Sequence, residues 1–194
     1  MKNLSALIFS FLLFSSQSFG QAIERTSPDC APEAIAHAQA GAAHEEPLAI
    51  YLLARYYSTG KCIHGDGAKA LDLYKRAAQL NYPRAFYNLG IVYAGNNDFK
   101  GAEEMFTRGA ELGHRGSELQ LGILYSLVPA PVGDHVKAVA WLSLTASRSE
   151  SISNEAKDVL KSIKTRMEPA VWGPASILTE ELKTKYGSIP EFKE

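Results

Sequence analysis

The two cysteines are the residues with the clearest chemical potential in this 194-residue chain. An even number of cysteines is compatible with one disulfide in a protein that enters an oxidising compartment, and two free thiols are the alternative. Cys62 also begins a short stretch that continues to His64 and Asp66, all three being metal-ligand types. Tetrahedral zinc sites take four ligands from paired short spacings, which this stretch does not match. We therefore interpret these residues as part of a turn.

Two histidines are the second candidate for metal binding. His37 and His44 lie seven residues apart on one helical face, with Glu45 and Glu46 next in sequence. However, His37 falls on an apolar ladder that predicts burial, and His44 ends the helix, so we expect no metal site and no cofactor. The sequence also lacks a Gly-x-Ser-x-Gly elbow, a His-Glu-x-x-His motif and a glycine-rich phosphate loop with lysine. We therefore expect a protein that is not an enzyme.

The first twenty residues have the pattern of a secretory signal peptide. Lys2 is followed by an apolar stretch over residues 4–14 and then by a polar tract that ends in small residues. This stretch is too short for a membrane-spanning helix, which needs about 20 residues. Ser18 and Gly20 fit the positions that signal peptidase reads, which predicts cleavage after Gly20, with cleavage after Ala22 as the alternative. We expect a periplasmic protein without a stable membrane anchor.

Composition and charge are those of an ordinary globular protein. Hydrophobic residues make up 46% of the chain and charged residues 21%, and 20 Lys and Arg against 21 Asp and Glu leave a formal net charge of -1. This composition excludes an intrinsically disordered chain. Nucleic-acid-binding proteins usually concentrate positive charge on one face, so we expect no nucleic-acid partner.

Two apolar ladders alternate along the rest of the chain. The first ladder occupies residues 49–57, 85–93 and 117–125, in steps of 36 and 32 residues. The second ladder starts at Ala70, Ala102 and Ala138 and continues at offsets of 3, 4, 7 and 8, which mark one face of a helix. An aspartate stands four residues before each second ladder, at Asp66, Asp98 and Asp134. A side-chain acceptor there predicts an N-terminal helix cap, so each unit is predicted to be helix, turn, helix.

These units predict an all-α solenoid of antiparallel helix pairs, because one pair cannot bury its apolar face alone. Small residues at 54, 90 and 122 are expected to let paired helices approach closely. The predicted segments are a signal peptide at 1–20, an N-terminal extension at 21–30, a half-repeat cap at 31–46, repeats at 47–82, 83–114 and 115–151, a helix pair at 152–187 and a tail at 188–194. In this register Cys30 and Cys62 lie near one edge of adjacent units, which favours a disulfide over free thiols.

The ladders resemble the Sel-one-like repeat, a relative of the tetratricopeptide repeat. The shared pattern is Ala-x3-Leu-Gly-x2-Tyr, a turn with Gly and Asp, and then a Lys-Ala helix, and residues 60–70 and 136–146 match it best. Ala54 replaces the usual Gly, Ser117 replaces the usual Ala, and the turn at 95–97 is shortened. The resemblance implies a right-handed α–α solenoid that binds proteins without catalysing a reaction.

The expected function is a noncatalytic protein–protein interaction module or adaptor in the periplasm. The resemblance offers an alternative, an immunity protein that neutralises a secreted toxin, and a metal-dependent envelope hydrolase ranks third. Residues that point away from each hairpin core are expected to line a partly apolar groove for a protein partner, since Tyr and Arg are frequent binding hot spots. The alternative is packing between stacked helices. These residues are Tyr51, Arg55, Tyr87, Ile91, Leu119 and Ile123.

Overall fold

The computed structural model describes residues 30–129, 133–148 and 150–192. Within these ranges the chain forms α-helices, one 3-10 turn and no strand, as predicted. The helices are α1 Pro32–Ala43, α2 Pro47–Thr59, α3 Gly67–Gln79, α4 Pro83–Gly95, α5 Phe99–Glu111, α6 Arg115–Leu127, α7 His135–Ala146, α8 Glu150–Lys164 and α9 Trp172–Tyr186, with the 3-10 turn at Pro169–Val171. The predicted signal peptide and most of the N-terminal extension lie outside the described residues.

Side-chain caps start the second helix of each repeat. Asp66, Asp98 and Asp134 each accept a hydrogen bond from the backbone amide three residues later, at 3.0, 2.9 and 3.0 Å. These bonds satisfy amides that have no partner within the helix, and they confirm the predicted caps. His114 has the same role at the start of α6, where its Nδ1 accepts from the amide of Ser117 at 3.1 Å.

The turns that connect successive helix pairs repeat with the period of the ladders. Glu45, Asn81 and Gly113 have φ angles of 57°, 56° and 83° and follow one another at steps of 36 and 32 residues. A left-handed residue at this position reverses the chain within a few residues, so the second helix of one unit runs straight into the first helix of the next.

The chain divides into two compact units, residues 1–89 and 90–194. In the described part of the first unit, α1 packs on α2 and α2 packs on α3. Ala54 is completely buried, in agreement with its predicted place in a close helix pair. His37 is exposed, so its predicted burial is wrong. The physical reason is that α1 is the first described helix, and no earlier described helix covers this side of it.

In the second unit α6 packs on α5, α7 and α8, and α7 also packs on α8 and α9. The predicted close approaches occur at Gly90 and Gly122. A Cβ at Gly90 would lie 2.4 Å from Cε1 of Phe106, and one at Gly122 would lie 2.5 Å from Cγ of Leu142. No helix in the described ranges is long and apolar enough to cross a membrane.

Candidate binding surfaces

The two cysteines form a disulfide. Cys30 lies two residues before the start of α1, and Cys62 lies in the loop between α2 and α3, with 5.0 Å between their Cα atoms. The bridge therefore ties the start of α1 to the loop that leads into α3, and the free-thiol alternative does not apply. Asp66, two residues beyond His64, uses its carboxylate to cap α3. Both findings agree with the interpretation of this stretch as a structural turn.

Tyr51, one of the six predicted surface residues, lies in the interior of the first unit and is only 4% exposed. Its ring centroid is 4.9 Å from that of Tyr82 and 6.0 Å from that of Tyr74, both in tilted orientations. The Tyr74 hydroxyl lies 3.2 Å from Oγ of Ser58. Burial raises the pKa of Tyr74 to about 12. Tyr51 thus belongs to an aromatic packing cluster, and the packing alternative describes it better than the groove.

Leu119 and Ile123 are also buried, at 3% and 0% exposure. They lie on α6, where every residue from Arg115 to Tyr125 is buried. The physical reason is that α6 has α5, α7 and α8 packed around it, so no side of its central part is left for a partner. The groove predicted at these two positions is therefore replaced by packing.

The other three predicted surface residues are half-buried. Arg55 and Tyr87 belong to the first unit, and Ile91 belongs to the second. Each keeps some accessible side-chain surface, and their role in binding a partner stays a prediction.

A shallow pocket of about 450 Å³ opens on the first unit between α2 and α3. Its apolar lining comes from Leu53, Tyr57 and Leu73, together with Ala68, and Lys69 and Asp72 supply a positive and a negative charge at its edge. The ammonium of Lys69 lies 5.3 Å from the ring centroid of Tyr57, a cation–π distance. The sequence-based prediction missed this pocket, because its lining combines Leu53 and Tyr57 of the first ladder with Leu73 of the second and includes none of the six predicted surface residues.

A buried charge cluster in the second unit was also missed. Glu118 is 0% exposed, and its Oε1 accepts from Nη1 of Arg115 at 2.6 Å and from Nη1 of Arg148. Burial raises the pKa of the Glu118 carboxyl, and the two guanidiniums oppose this shift. Within the described residues, Oε2 of Glu118 has no hydrogen-bond partner. The spacing of Arg115 and Glu118 allows an ion pair along a helix, but no local signal links them to Arg148.

No group of three or more His, Cys, Asp or Glu side chains in the described ranges is arranged to hold a metal ion. His37 lies on α1 and His44 follows the last residue of that helix, and both side chains are exposed.

Comparison with known protein families identifies the repeats of this chain. The model of the Sel1 repeat matches residues 47–82, 83–114 and 117–149, which together cover just over half of the chain. No curated protein matches at a significant level.

Two solved structures are similar to this chain. A Sel1 repeat protein from Oxalobacter formigenes aligns with a TM-score of 0.62 at 19% identity, over 95% of this chain and 80% of that one. A protective antigen of uropathogenic Escherichia coli strains that displays an SLR fold aligns with a TM-score of 0.41 at 17% identity, over 78% of this chain and 41% of that one. The second score is too low to indicate a shared arrangement, whereas the first supports the same fold. From the three matched repeats and this fold we conclude that the chain belongs to the Sel1 repeat family.

Proposed function

We propose that this protein is an exported, noncatalytic interaction module that binds a protein partner through the pocket between α2 and α3. Sel1 repeat proteins are typically protein–protein interaction modules, which sets the class of function. The observation that carries the proposal is the pocket itself, an open apolar depression with charged residues at its edge. The same stable helix pairs that build the repeat also hold its lining in place.

The chemistry of the pocket suits a protein side chain. Leu53 and Leu73 offer apolar contact at its base, and Tyr57 adds an aromatic ring of the kind common in binding hot spots. Lys69 and Asp72 are exposed, and they give the pocket one positive and one negative contact. A partner segment with an apolar side chain next to a charged one would bury the apolar side chain in the pocket. Its charged side chain would pair with Lys69 or Asp72 at the edge. Arg55, Tyr87 and Ile91 do not line this pocket, and their part in binding a partner stays a separate prediction.

Export rests on two features. The first twenty residues have the order of charge, apolar stretch and small residues that a secretory signal requires. The disulfide between Cys30 and Cys62 is of a type that persists in oxidising compartments such as the periplasm. Mass spectrometry of the protein recovered from a periplasmic extract tests this step. A mass that corresponds to a chain starting at Gln21 is expected, and recovery of an uncleaved chain from the cytoplasm would contradict it.

A charge-reversed pair of variants tests the pocket. Lys69→Glu changes the pocket edge, and Lys75→Glu makes the same charge change on an exposed part of α3 that does not line the pocket. A glutamate at position 69 suits the first turn of a helix capped by Asp66, so the fold should tolerate it. Each tagged chain is used to capture partners from an envelope extract, and binding to the captured partner is then measured.

Lys69→Glu should weaken the binding of that partner by at least about tenfold, which corresponds to about 1.4 kcal/mol. Lys75→Glu should leave it unchanged. Equal binding by both variants would assign the partner to another surface, and hydrolytic turnover by the purified chain would contradict a noncatalytic role. The identity of the partner separates an adaptor from an immunity protein, since the latter would capture a secreted toxin.

A further inference from the structure

The C-terminal tail of the chain returns to the turn in front of α6. The structure describes residues 188–192 of the predicted tail, and the word tail refers to these residues below. Nη2 of Arg115 donates to the backbone oxygen of Ile189 at 2.7 Å. The amide of Phe192 donates to the backbone oxygen of Gly113 at 3.1 Å. Both bonds use backbone atoms of the tail, and they hold it against the start of α6.

One cation of the buried charge cluster, Arg115, contacts this segment, and the other, Arg148, contacts the last residue of α9. Glu118 binds one nitrogen of Arg115 and one nitrogen of Arg148 through Oε1. The second nitrogen of each guanidinium then points outward, Arg115 to the carbonyl of Ile189 and Arg148 to the carbonyl of Tyr186. A guanidinium is a planar donor with several N–H groups, so it can bind a carboxylate and a carbonyl at once. Glu118 therefore positions Arg115 as a donor to the tail and Arg148 as a donor to the end of α9.

Gly113 provides the space that the tail needs. A Cβ at this position would lie 2.2 Å from the oxygen of Pro190, so any other residue type would collide with the tail backbone. Gly113 also has a φ of 83°, in the region that favours glycine. Gly113 thus meets two independent requirements, a close approach and a positive φ, and its carbonyl accepts the hydrogen bond from the Phe192 amide.

The tail itself has the properties of a bound peptide more than those of a core element. Ser188, Pro190 and Glu191 are exposed, and Ile189 and Phe192 are half-buried. The tail has no helix of its own, and in addition to the two bonds above the amide of Ile189 donates to the backbone oxygen of Tyr186 at the end of α9 at 3.0 Å. A terminal segment whose side chains are exposed or half-buried opens locally at lower cost than a fully buried helix.

We propose that the turn at Gly113 and the donor Arg115 form a docking site for a short peptide, and that the tail occupies this site in cis until a partner peptide displaces it. The partner segment would carry an aliphatic residue followed by proline and, two positions after the proline, an aromatic residue, as Ile189, Pro190 and Phe192 do. This site lies in the second unit, and it does not depend on the pocket proposed in the first.

A labelled peptide with the sequence of residues 187–194 tests the proposal by fluorescence anisotropy. It is titrated into the full chain and into a chain that ends at Gly187. A tethered segment competes at an effective concentration in the millimolar range, so the shortened chain should bind the peptide at least roughly tenfold more tightly than the full chain. In the shortened chain, Gly113→Asn should abolish this binding, since asparagine tolerates a positive φ but adds the colliding Cβ. Gly67→Ala is the matched control, because a Cβ there meets nothing within 4 Å.

A second measurement applies if the shortened chain fails to fold. The isotope-labelled full chain is titrated with unlabelled peptide, and the amide signal of Phe192 is followed by NMR. Displacement should move this signal to its free position as the peptide reaches millimolar concentrations. A folded shortened chain that binds no peptide, or a Phe192 signal that stays unchanged at several times that concentration, would show that the tail is a fixed structural strap and would overturn the proposal.

Discussion

Loss of the Cys30–Cys62 disulfide should lower the free energy of unfolding of the first unit by a predictable amount. The two cysteines are separated by 32 positions, and both ends are held by folded structure, before α1 and before α3. In the chain-entropy model a closed loop of this length removes about 12 cal/mol/K from the unfolded state, or about 3.7 kcal/mol at 25 °C. With a urea m-value of roughly 1–3 kcal/mol/M, the unfolding midpoint should fall by roughly 1–4 M.

Urea titrations of the oxidised chain and of the Cys30→Ala, Cys62→Ala double variant measure this difference. The near-ultraviolet circular dichroism of tyrosine is the suitable signal, because Tyr51 packs against Tyr74 and Tyr82 inside the first unit. Both tryptophans, Trp141 and Trp172, lie in the second unit and report on that unit instead.

A reducing agent provides the matched control. It should lower the midpoint of the oxidised chain to that of the double variant and should leave the double variant unchanged. Midpoints that differ by less than about 0.3 M between the oxidised chain and the double variant would refute the reasoning, because the bridge would then constrain little of the unfolded chain.

Three further changes have expected outcomes in urea unfolding of the second unit. Gly122→Ala should cost up to about 2 kcal/mol, because overpacking against Leu142 costs about 1–3 kcal/mol and the gain in helix propensity returns about 1 kcal/mol. Gly173→Ala, with open space around it, should gain up to about 1 kcal/mol, and equal effects of the two changes would contradict a close helix approach. Asp98→Ala should cost about 1 kcal/mol and Asp98→Asn much less, because asparagine keeps the cap; equal losses would contradict a capping role. Glu118→Gln should cost about 3–5 kcal/mol, because it leaves two guanidiniums buried without their anion, and a loss below about 1 kcal/mol would show that water already solvates the cluster.

The caps and the close approaches were predictable because their causes are local. The bond from each capping aspartate joins atoms three residues apart, and the ladder offsets follow from the helix period alone. The exposure of the six predicted surface residues was not predictable in the same way. Tyr51 packs against Tyr74 on the partner helix of its own hairpin, and Leu119 and Ile123 lie on a helix that three others surround. The sequence pattern alone does not distinguish a groove from either kind of packing.

The sequence by itself determined the helices, their caps, the repeat period and the proximity of Cys30 and Cys62, since each depends on residue spacing within one unit or between neighbours. Only the tertiary structure decided which faces stay accessible, because burial depends on how many helices pack around a given helix. It placed α6 among three other helices, brought Arg148 to a carboxylate thirty residues earlier in the chain, and returned the tail to Gly113. These contacts join positions far apart in sequence, and no local periodicity records them.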